Sequence, residues 1–463
     1  MGILKKKEKV YNKPSDASIA QCFKNGNLIT KLSFFICGLG NLLNKQFARG
    51  IVFLGIEIGY IYYMVTFGIG AIGDFITLGT VEQTEVYNEA TGMYEYLLGD
   101  NSMLCLLYGV ITFAVTAAMI FIALMSGKSA YATQFRKEKG MKVPTLRDDL
   151  HSIKEENMHV AMMALPIIGV LVFTIVPLIF MILMAFTSYD SKHQPPGKLF
   201  DWVGLDNFVE LLAGSGKLAA TFWPILGWTL IWAVFATVTC YIGGLLLALL
   251  INRKGTKAKG FWRFMFVLSV AVPQFVTLLS MRTIFNLGGP VNVLLRDLGI
   301  IGPYESVPFF TDPTLAKITI ICINMWIGIP FTMLSTTGIL QNIPGELYEA
   351  AKIDGASAFT IFWKITMPYM VFVMTPNLIT SFTGNINNFN VIYLLSGGGP
   401  ASLDYYYAGK TDLLITWLYN LTITQKDYNV GAVIGILTFV VLATVSLLTY
   451  RNTGSYKDEG AFQ

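Results

Sequence analysis

The sequence predicts an all-α protein that crosses a membrane about eight times. Of its 463 residues 54% are hydrophobic and only 13% are charged. That charged share is about half of what a soluble domain carries. Mean hydropathy is +0.57, and so much apolar surface cannot be hidden in one core. The apolar residues also come in runs that reach the roughly 20 residues needed to cross a bilayer. Charges are segregated between the loops. Residues 67–102 hold Asp74, Glu82, Glu85, Glu89, Glu95 and Asp100 and no Lys or Arg. Residues 127–158 hold Lys128, Arg136, Lys137, Lys139, Lys142, Arg147 and Lys154, and residues 252–263 hold Arg253, Lys254, Lys257, Lys259 and Arg263. Basic loops stay in the cytoplasm, so the acidic loop is outside and, with eight spans, both termini are cytoplasmic.

In chain order, residues 1–49 read as a cytoplasmic tail with an interfacial helix. Met1–Val10 is basic but no apolar core follows at once, so it does not read as a cleavable signal peptide. Leu32–Asn44 is apolar but short, and Gly38 and Gly40 interrupt it; it suits an interface better than a crossing. Residues 50–158 supply two N-terminal spans, Gly50–Ile72 and Ser102–Ser126. Glu57 lies within the first, near its inner end, where it can snorkel or pair with Arg49. Residues 159–451 supply six spans: Val160–Ser188, Trp223–Ile251, Phe261–Phe285, Ala316–Leu340, Met367–Leu395 and Tyr428–Tyr450. Pro166, Pro177, Pro273, Pro330 and Pro376 sit inside them and suggest kinks, since neighbouring helices can satisfy the carbonyls they free. Residues 452–463 are a second cytoplasmic tail.

Several chemistries are excluded. Cys22, Cys37, Cys105, Cys240 and Cys322 are scattered with no CxxC, which argues against metal or disulfide chemistry. His151, His159 and His193 face no cysteine or serine motif, and no G-x-x-x-x-G-K-[ST] phosphate loop occurs. The chain is therefore not an enzyme, and any uphill transport draws energy from another chain or from an ion gradient. A net charge of +4 argues against a nucleic-acid partner. An ion-coupled carrier would place acids at mid-membrane. Spans two to four and six to eight hold none, which disfavours that alternative.

The spans do hold uncharged polar groups. Gln274 follows Pro273 in span five, and Asn324 and Gly328 are one turn apart in span six. Span seven holds Asn377, Ser381, Thr383, Gly384, Asn385, Asn387, Asn388 and Asn390. Ser381, Asn385 and Asn388 recur at steps of four and three and so share one helix face. Amides and hydroxyls both donate and accept, as sugar hydroxyls require. The competing reading is helix–helix glue, a common use of Asn and Ser in membranes.

One polar segment, residues 341–368, stands between two uncharged apolar runs. Pro344 can open a helix, Glu346 and Glu349 suit its first turns, and Asp354-Gly355 signals a turn with Gly355 free to take positive φ. Phe359, Phe362 and Trp363 supply an apolar anchor.

The EAA and DGA text of this segment resembles the EAA loop of ABC-importer permeases. TPNLITSFTGNINNFNVIYLLSGGGP (residues 375–400), AVPQF (271–275), NMWIGIPF (324–331) and GKTDLL (409–414) are similar to the MalF-type permease of maltose importers. The resemblance runs from about Val160 to Tyr450. It implies a MalF-like permease fold, a subunit of an ATP-driven importer for maltose or maltodextrins, or for another oligosaccharide. It implies four kinds of partner: the bilayer, a second MalG-like permease, two ATPases and an extracytoplasmic binding protein. No cofactor is bound by this chain; ATP and Mg are used by the partner ATPase. Carried over, the sugar-contacting positions are Gln274, Asn324, Ile327, Gly328, Phe331, Ser381, Gly384, Asn385 and Asn388. The ATPase-coupling positions are Glu349, Ala350, Ala351, Asp354, Gly355 and Ala356. Val270, Gln274, Phe331 and Gly384 depart from the maltose pattern, which has tyrosine, serine, tyrosine and phenylalanine there. The outer loop Tyr189–Phe222 is short where the best-known maltose permease has a folded domain.

Overall fold

The computed structural model describes residues 17–89, 92–155, 157–253 and 255–451. The basic start Met1–Val10 and the tail 452–463 lie outside them. By packing, the chain divides into two units, Met1–Trp202 and Val203–Gln463, whereas the reading by spans draws its boundary at 158/159.

In the first unit, span one runs from Phe47 to Thr77 with a π-helical turn at Met64–Gly68, and span two from Ser102 to Glu138. At 1.5 Å per residue the 37-residue span two is roughly 55 Å long, well beyond the hydrocarbon thickness. Asn101 starts it by accepting from the Met103 and Leu104 N–H groups at 3.1 and 3.3 Å. The two spans are joined by hydroxyl pairs, Tyr60–Thr116 at 3.1 Å and Tyr63–Thr112 at 2.9 Å. They also meet at Gly109, where a Cβ would lie 2.3 Å from the Phe75 ring. Close approach at small residues is how helices associate where lipid removes the hydrophobic drive.

The single interfacial helix expected over Leu32–Asn44 is two short helices instead, Leu28–Leu32 and Leu39–Leu43. Gly38 breaks the run. It takes φ +82, and a Cβ there would lie 2.3 Å from the Gly50 carbonyl oxygen. Glu57 does not pair with Arg49. Its carboxylate accepts from the Cys37 N–H at 2.7 Å, at the turn that Gly38 creates. Arg49 forks onto both oxygens of Asp149. Asp149 lies on the helix Leu146–Lys154, whose Thr145/Asp148 capping box holds the exposed Asp148 carboxyl down to about 2, chiefly through the Thr145 N–H.

The outer acidic segment is not wholly irregular. Thr84–Asn88 and Met93–Leu97 form an antiparallel hairpin with Thr84 opposite Leu97, an exception to the all-α expectation. The alternation in TEVYN and MYEYL is a strand signal that the count of acids obscured. Span three, Met158–Met184, is continuous through Pro166 and a π-helical turn at Leu171–Ile175, and it buries no residue.

In the second unit, span four is Lys217–Asn252, span six Pro313–Asn342, span seven Ala358–Ile386 and span eight Tyr428–Arg451. Span five is two helices, Lys259–Ala271 and Gln274–Ile284, bent by 88° at the break. Among the described residues seven helices are thus long and apolar enough to cross, and counting the bent pair as one span brings the number to eight. Span seven starts and ends about nine residues before the expected Met367–Leu395. The EAA-type loop runs straight into it, and Phe389–Leu395 is a separate helix. Trp228 and Trp232 of span four are buried with Leu278, Ile320, Ile323, Val391 and Ile392. Their indole N–H groups donate to the Thr411 and Asn385 carbonyls at 3.1 and 3.0 Å, as buried tryptophans require. Gly243 and Gly244 let span six approach, since a Cβ on either would lie 2.5 or 2.7 Å from Ile329 or Thr332.

Between spans seven and eight, Asp412 organises the loop that contains Gly398. Its carboxyl accepts from the Gly409 N–H at 2.8 Å and the Thr416 hydroxyl at 2.7 Å. Burial nonetheless pushes its pKa up to about 6.

The Arg49–Asp149 fork is a charge-assisted bidentate pair, with Arg49 about a third exposed. Discounted for that exposure, Arg49→Gln or Asp149→Asn should each destabilise the detergent-solubilised protein by about 1–2 kcal/mol. The double variant should be little worse than either single one, because the same interaction is lost. Melting temperatures of the three variants check this.

Candidate functional site

Spans four to seven line a partly open cavity of about 510 Å³. All nine residues expected at a sugar site line it: Gln274, Asn324, Ile327, Gly328, Phe331, Ser381, Gly384, Asn385 and Asn388. Their elements differ from those expected. Gln274 opens the second half of broken span five, where Val272 and Pro273 are extended because a proline disfavours helix at the residue before it. The break carries Val270, Ala271, Val272 and Pro273 to the cavity wall, and no side chain caps the N-terminus of the second half.

Asn388 does not lie on the helix face of Ser381 and Asn385, because span seven ends at Ile386. Asn388 caps the next helix by accepting from the Val391 N–H at 3.3 Å, and its amide donates to Asn385 Oδ1 at 3.3 Å. The Asn385 amide in turn donates to Thr237 Oγ1 of span four at 3.0 Å. These two asparagines therefore bind helices together as well as lining the cavity. Gln274 and Ser381 are different: both are exposed into it, and among the described residues neither side chain is tied to another. Asn324 is buried and donates to Cys240 Sγ at 3.6 Å. Asn377 lines the cavity too.

Thr237, Cys240 and Tyr241 of span four make a wall that the sequence reading missed. The signal was present: Cys240 and Tyr241 follow Thr237 by steps of three and four, so the three share one helix face. Among the described residues no Asp, Glu, Lys, Arg or His lines the cavity. The arrangement offers neutral donors and acceptors among apolar and aromatic surfaces, in a space of small-ligand size.

The segment 341–368 folds as a helix, a turn and a second helix. Gly345–Ile353 follows Pro344, which stands at the N-cap rather than the first helical position. Asp354 ends the helix and Gly355 takes φ +73. Ser357 then caps Ala358–Ile361 by accepting from the Thr360 N–H at 3.2 Å. A hydroxyl pair, Tyr348–Thr366 at 3.1 Å, ties the two arms. Glu349, Ala350, Asp354 and Gly355 are exposed, and Ala351 and Ala356 half-buried. Beside them Ile353 is 86% and Phe359 74% exposed. Apolar side chains of that size on a polar segment mark a contact surface.

A polytopic helical membrane protein with a neutral polar cavity among its spans, and a structured loop between two of them, is a transport protein by architecture. Comparison with known proteins specifies the kind. Residues 240–453 match the family described as binding-protein-dependent transport system inner membrane component. The chain is 34% identical to the galactooligosaccharides transport system permease protein GanP of Bacillus subtilis, over 93% of this chain and 99% of that one. It is 35% identical to the maltodextrin permease MdxF of the same organism, over 92% and 95%. Against the maltose/maltodextrin permease MalF of Klebsiella aerogenes identity is 35% over 58% of this chain and 52% of that one. A chain of a bacterial ABC transporter involved in import of the acidic polysaccharide alginate aligns with a TM-score of 0.51 and 25% identity, covering 65% of this chain and 96% of that chain. The chain belongs to the family of inner-membrane permease subunits of binding-protein-dependent ABC importers. In that family the ATPase is a separate subunit, and this chain is not an enzyme.

The cavity wall has one tight point. A Cβ at Gly328 would lie 2.4 Å from Cys240 Sγ. Gly328→Ala should overpack the contact of spans four and six and lower stability by about 1–3 kcal/mol. Adding Cys240→Ala should restore most of the loss, read as melting temperature in detergent.

Proposed function

We propose that the chain forms the path by which a neutral oligosaccharide of the maltodextrin type crosses the membrane. The observation that carries this is the cavity: about 510 Å³, lined by amides, hydroxyls and apolar surfaces and, among the described residues, by no charged side chain. An acidic sugar would find no counter-charge there, and a coupling ion would find no carboxylate. MdxF and MalF, named for maltodextrin and maltose, support the maltodextrin reading. GanP, about equally similar, supports galactooligosaccharides as the second one. In this reading the chain pairs with a second, similar permease. Two ATPases dock inside, one of them on the loop Glu349–Ala356 of this chain, and a sugar-binding protein docks outside. Both termini are cytoplasmic. ATP and Mg belong to the ATPases, and this chain binds no cofactor.

The reading is tested by reconstitution. In liposomes the chain alone should transport nothing; uptake driven by a proton or sodium gradient would refute an ABC role. With its permease partner, ATPases and binding protein it should take up labelled maltotriose only with ATP inside. Competition by unlabelled galactotriose would shift the substrate to the second reading.

Within that complex, Gln274→Leu and Ser381→Ala should each lower maltotriose uptake by roughly 5- to 150-fold, the range for one unpaired hydrogen bond of about 1–3 kcal/mol. Melting temperature should hardly change, since neither side chain is bonded to another among the described residues. Asn385→Leu and Asn388→Leu should reduce both uptake and stability, because they also break the Thr237 link and a helix cap. Unchanged uptake in the first two variants would remove those residues from the path.

Gly355→Val with Glu349→Lys should uncouple transport. No atom would crowd a side chain at Gly355, so the effect comes from forcing a β-branched residue to positive φ and from reversing the charge beside it. ATPase co-purification should be lost while the permease keeps its melting temperature. Normal co-purification and uptake would reduce the loop to a connector.

A further inference from the structure

The turn between the helices Leu28–Leu32 and Leu39–Leu43 places every backbone donor from Phe34 to Gly40 on a protein acceptor. Phe34 donates to the Lys31 carbonyl, Phe35 and Ile36 to that of Leu32, and Leu39 to that of Ile36. The Cys37 N–H goes to the Glu57 carboxylate at 2.7 Å, the Gly38 N–H to Ser126 Oγ at 2.8 Å and the Gly40 N–H to Ser33 Oγ at 2.8 Å. Two of these acceptors are side chains of spans one and two. Non-helical backbone satisfied in this way, without recourse to solvent, is what a water-poor surrounding requires.

The level of the turn agrees. Ser126 stands at the inner end of the uncharged run Ser102–Gly127, just before Lys128. Glu57 stands roughly 10 Å along span one from Gly50, where its apolar run begins. The arms lie farther in: Gln134 accepts from the Asn27 N–H and the Thr30 hydroxyl at 2.9 and 2.8 Å, and the Asn41 amide donates to Ser129 at 2.9 Å. The segment is a V with its apex toward the bilayer. At that apex Phe34 packs on span two, where a Cβ at Gly127 would lie 2.4 Å from its ring. Phe35 is 72% and Ile36 45% exposed, an unpartnered apolar tip. Residues 17–49 carry Lys24, Lys31, Lys45 and Arg49 and no acid, and Arg49 is held by Asp149. Exposed apolar side chains flanked by lysines complement an anionic lipid surface.

We propose that residues 33–38 form a wedge inserted into the cytoplasmic leaflet, with Phe35 and Ile36 among the acyl chains and Lys24, Lys31 and Lys45 on the phosphates of anionic phospholipids. The wedge fixes the inner end of span two to the lipid. The choice of leaflet rests on the orientation given under the proposed function; insertion itself does not, and neither depends on which sugar crosses.

The test uses the full chain in its complex, in liposomes of equal parts phosphatidylglycerol and phosphatidylcholine, with the photocrosslinker p-benzoylphenylalanine in place of Phe35. Illumination should give phospholipid adducts, read by mass spectrometry, with phosphatidylglycerol favoured by roughly 5-fold, the preference that one lysine near the surface confers. In the triple variant Lys24→Gln, Lys31→Gln, Lys45→Gln the adducts should persist and the preference should vanish. The same probe at exposed Lys139, roughly 20 Å beyond Ser126 along span two, should give few lipid adducts. Adducts of position 35 with a protein chain, or with nothing, overturn the wedge, as do lipid adducts equally abundant at position 139. Equal adducts with both lipids in the parent overturn the role of the lysines. Both leaflets share one composition, so a wrong orientation of the termini would not alter the result.

Discussion

Inside a bilayer every backbone N–H and C=O must find its partner within the protein, which is why spanning segments are helices. Span five departs from that rule at Val272–Pro273, where two helices meet at 88°. Non-helical backbone at such a place is tolerated only where it is buried in protein or faces a polar cavity. Here the break and the cavity coincide. Val272 and Pro273 leave the helix, and residues 270 to 274 form part of the cavity wall. The rest of the second unit accommodates that one irregularity: span four packs closely on span six through Gly243, Gly244 and Gly328, and span seven ends early so that Asn388 can turn back toward Asn385.

The same economy of polar groups governs the cavity. Asn385 bonds to Thr237 and Asn388, and Asn388 caps a helix, so their glue role and their position at the cavity are not alternatives. Gln274 and Ser381 make no such side-chain bond among the described residues, and both are open to the cavity. A neutral polyhydroxylated ligand fits this mixture. It can satisfy the groups left open without disturbing those already used in holding the spans together.

The exposed helix-turn-helix of residues 345–361 is a separate device. Its shape comes from local chemistry: a proline before the first helix, Gly355 at positive φ, and a serine cap on the second. Ile353 and Phe359 remain outside any core. A segment so well determined locally holds Ile353 and Phe359 outward on a fixed turn.

The membrane-spanning class, the approximate places of the eight spans and the helix-turn-helix were legible in the sequence because each rests on local composition: twenty apolar residues, a proline, a glycine in a turn. The polar residues of spans five to seven were legible as candidates for the same reason, since polar groups are rare in such runs. What only the tertiary structure decided depends on partners distant in sequence. Glu57 turned to the Cys37 N–H because Arg49 was taken by Asp149, a hundred residues away. The interfacial run broke at Gly38 because Gly50 approaches it. Asn388 left the helix face that its spacing assigned it, and span four became a wall of the cavity. Periodicity along one chain describes which residues share a face; which face meets which, and which hydrogen bonds are already spent, follows only when the helices pack.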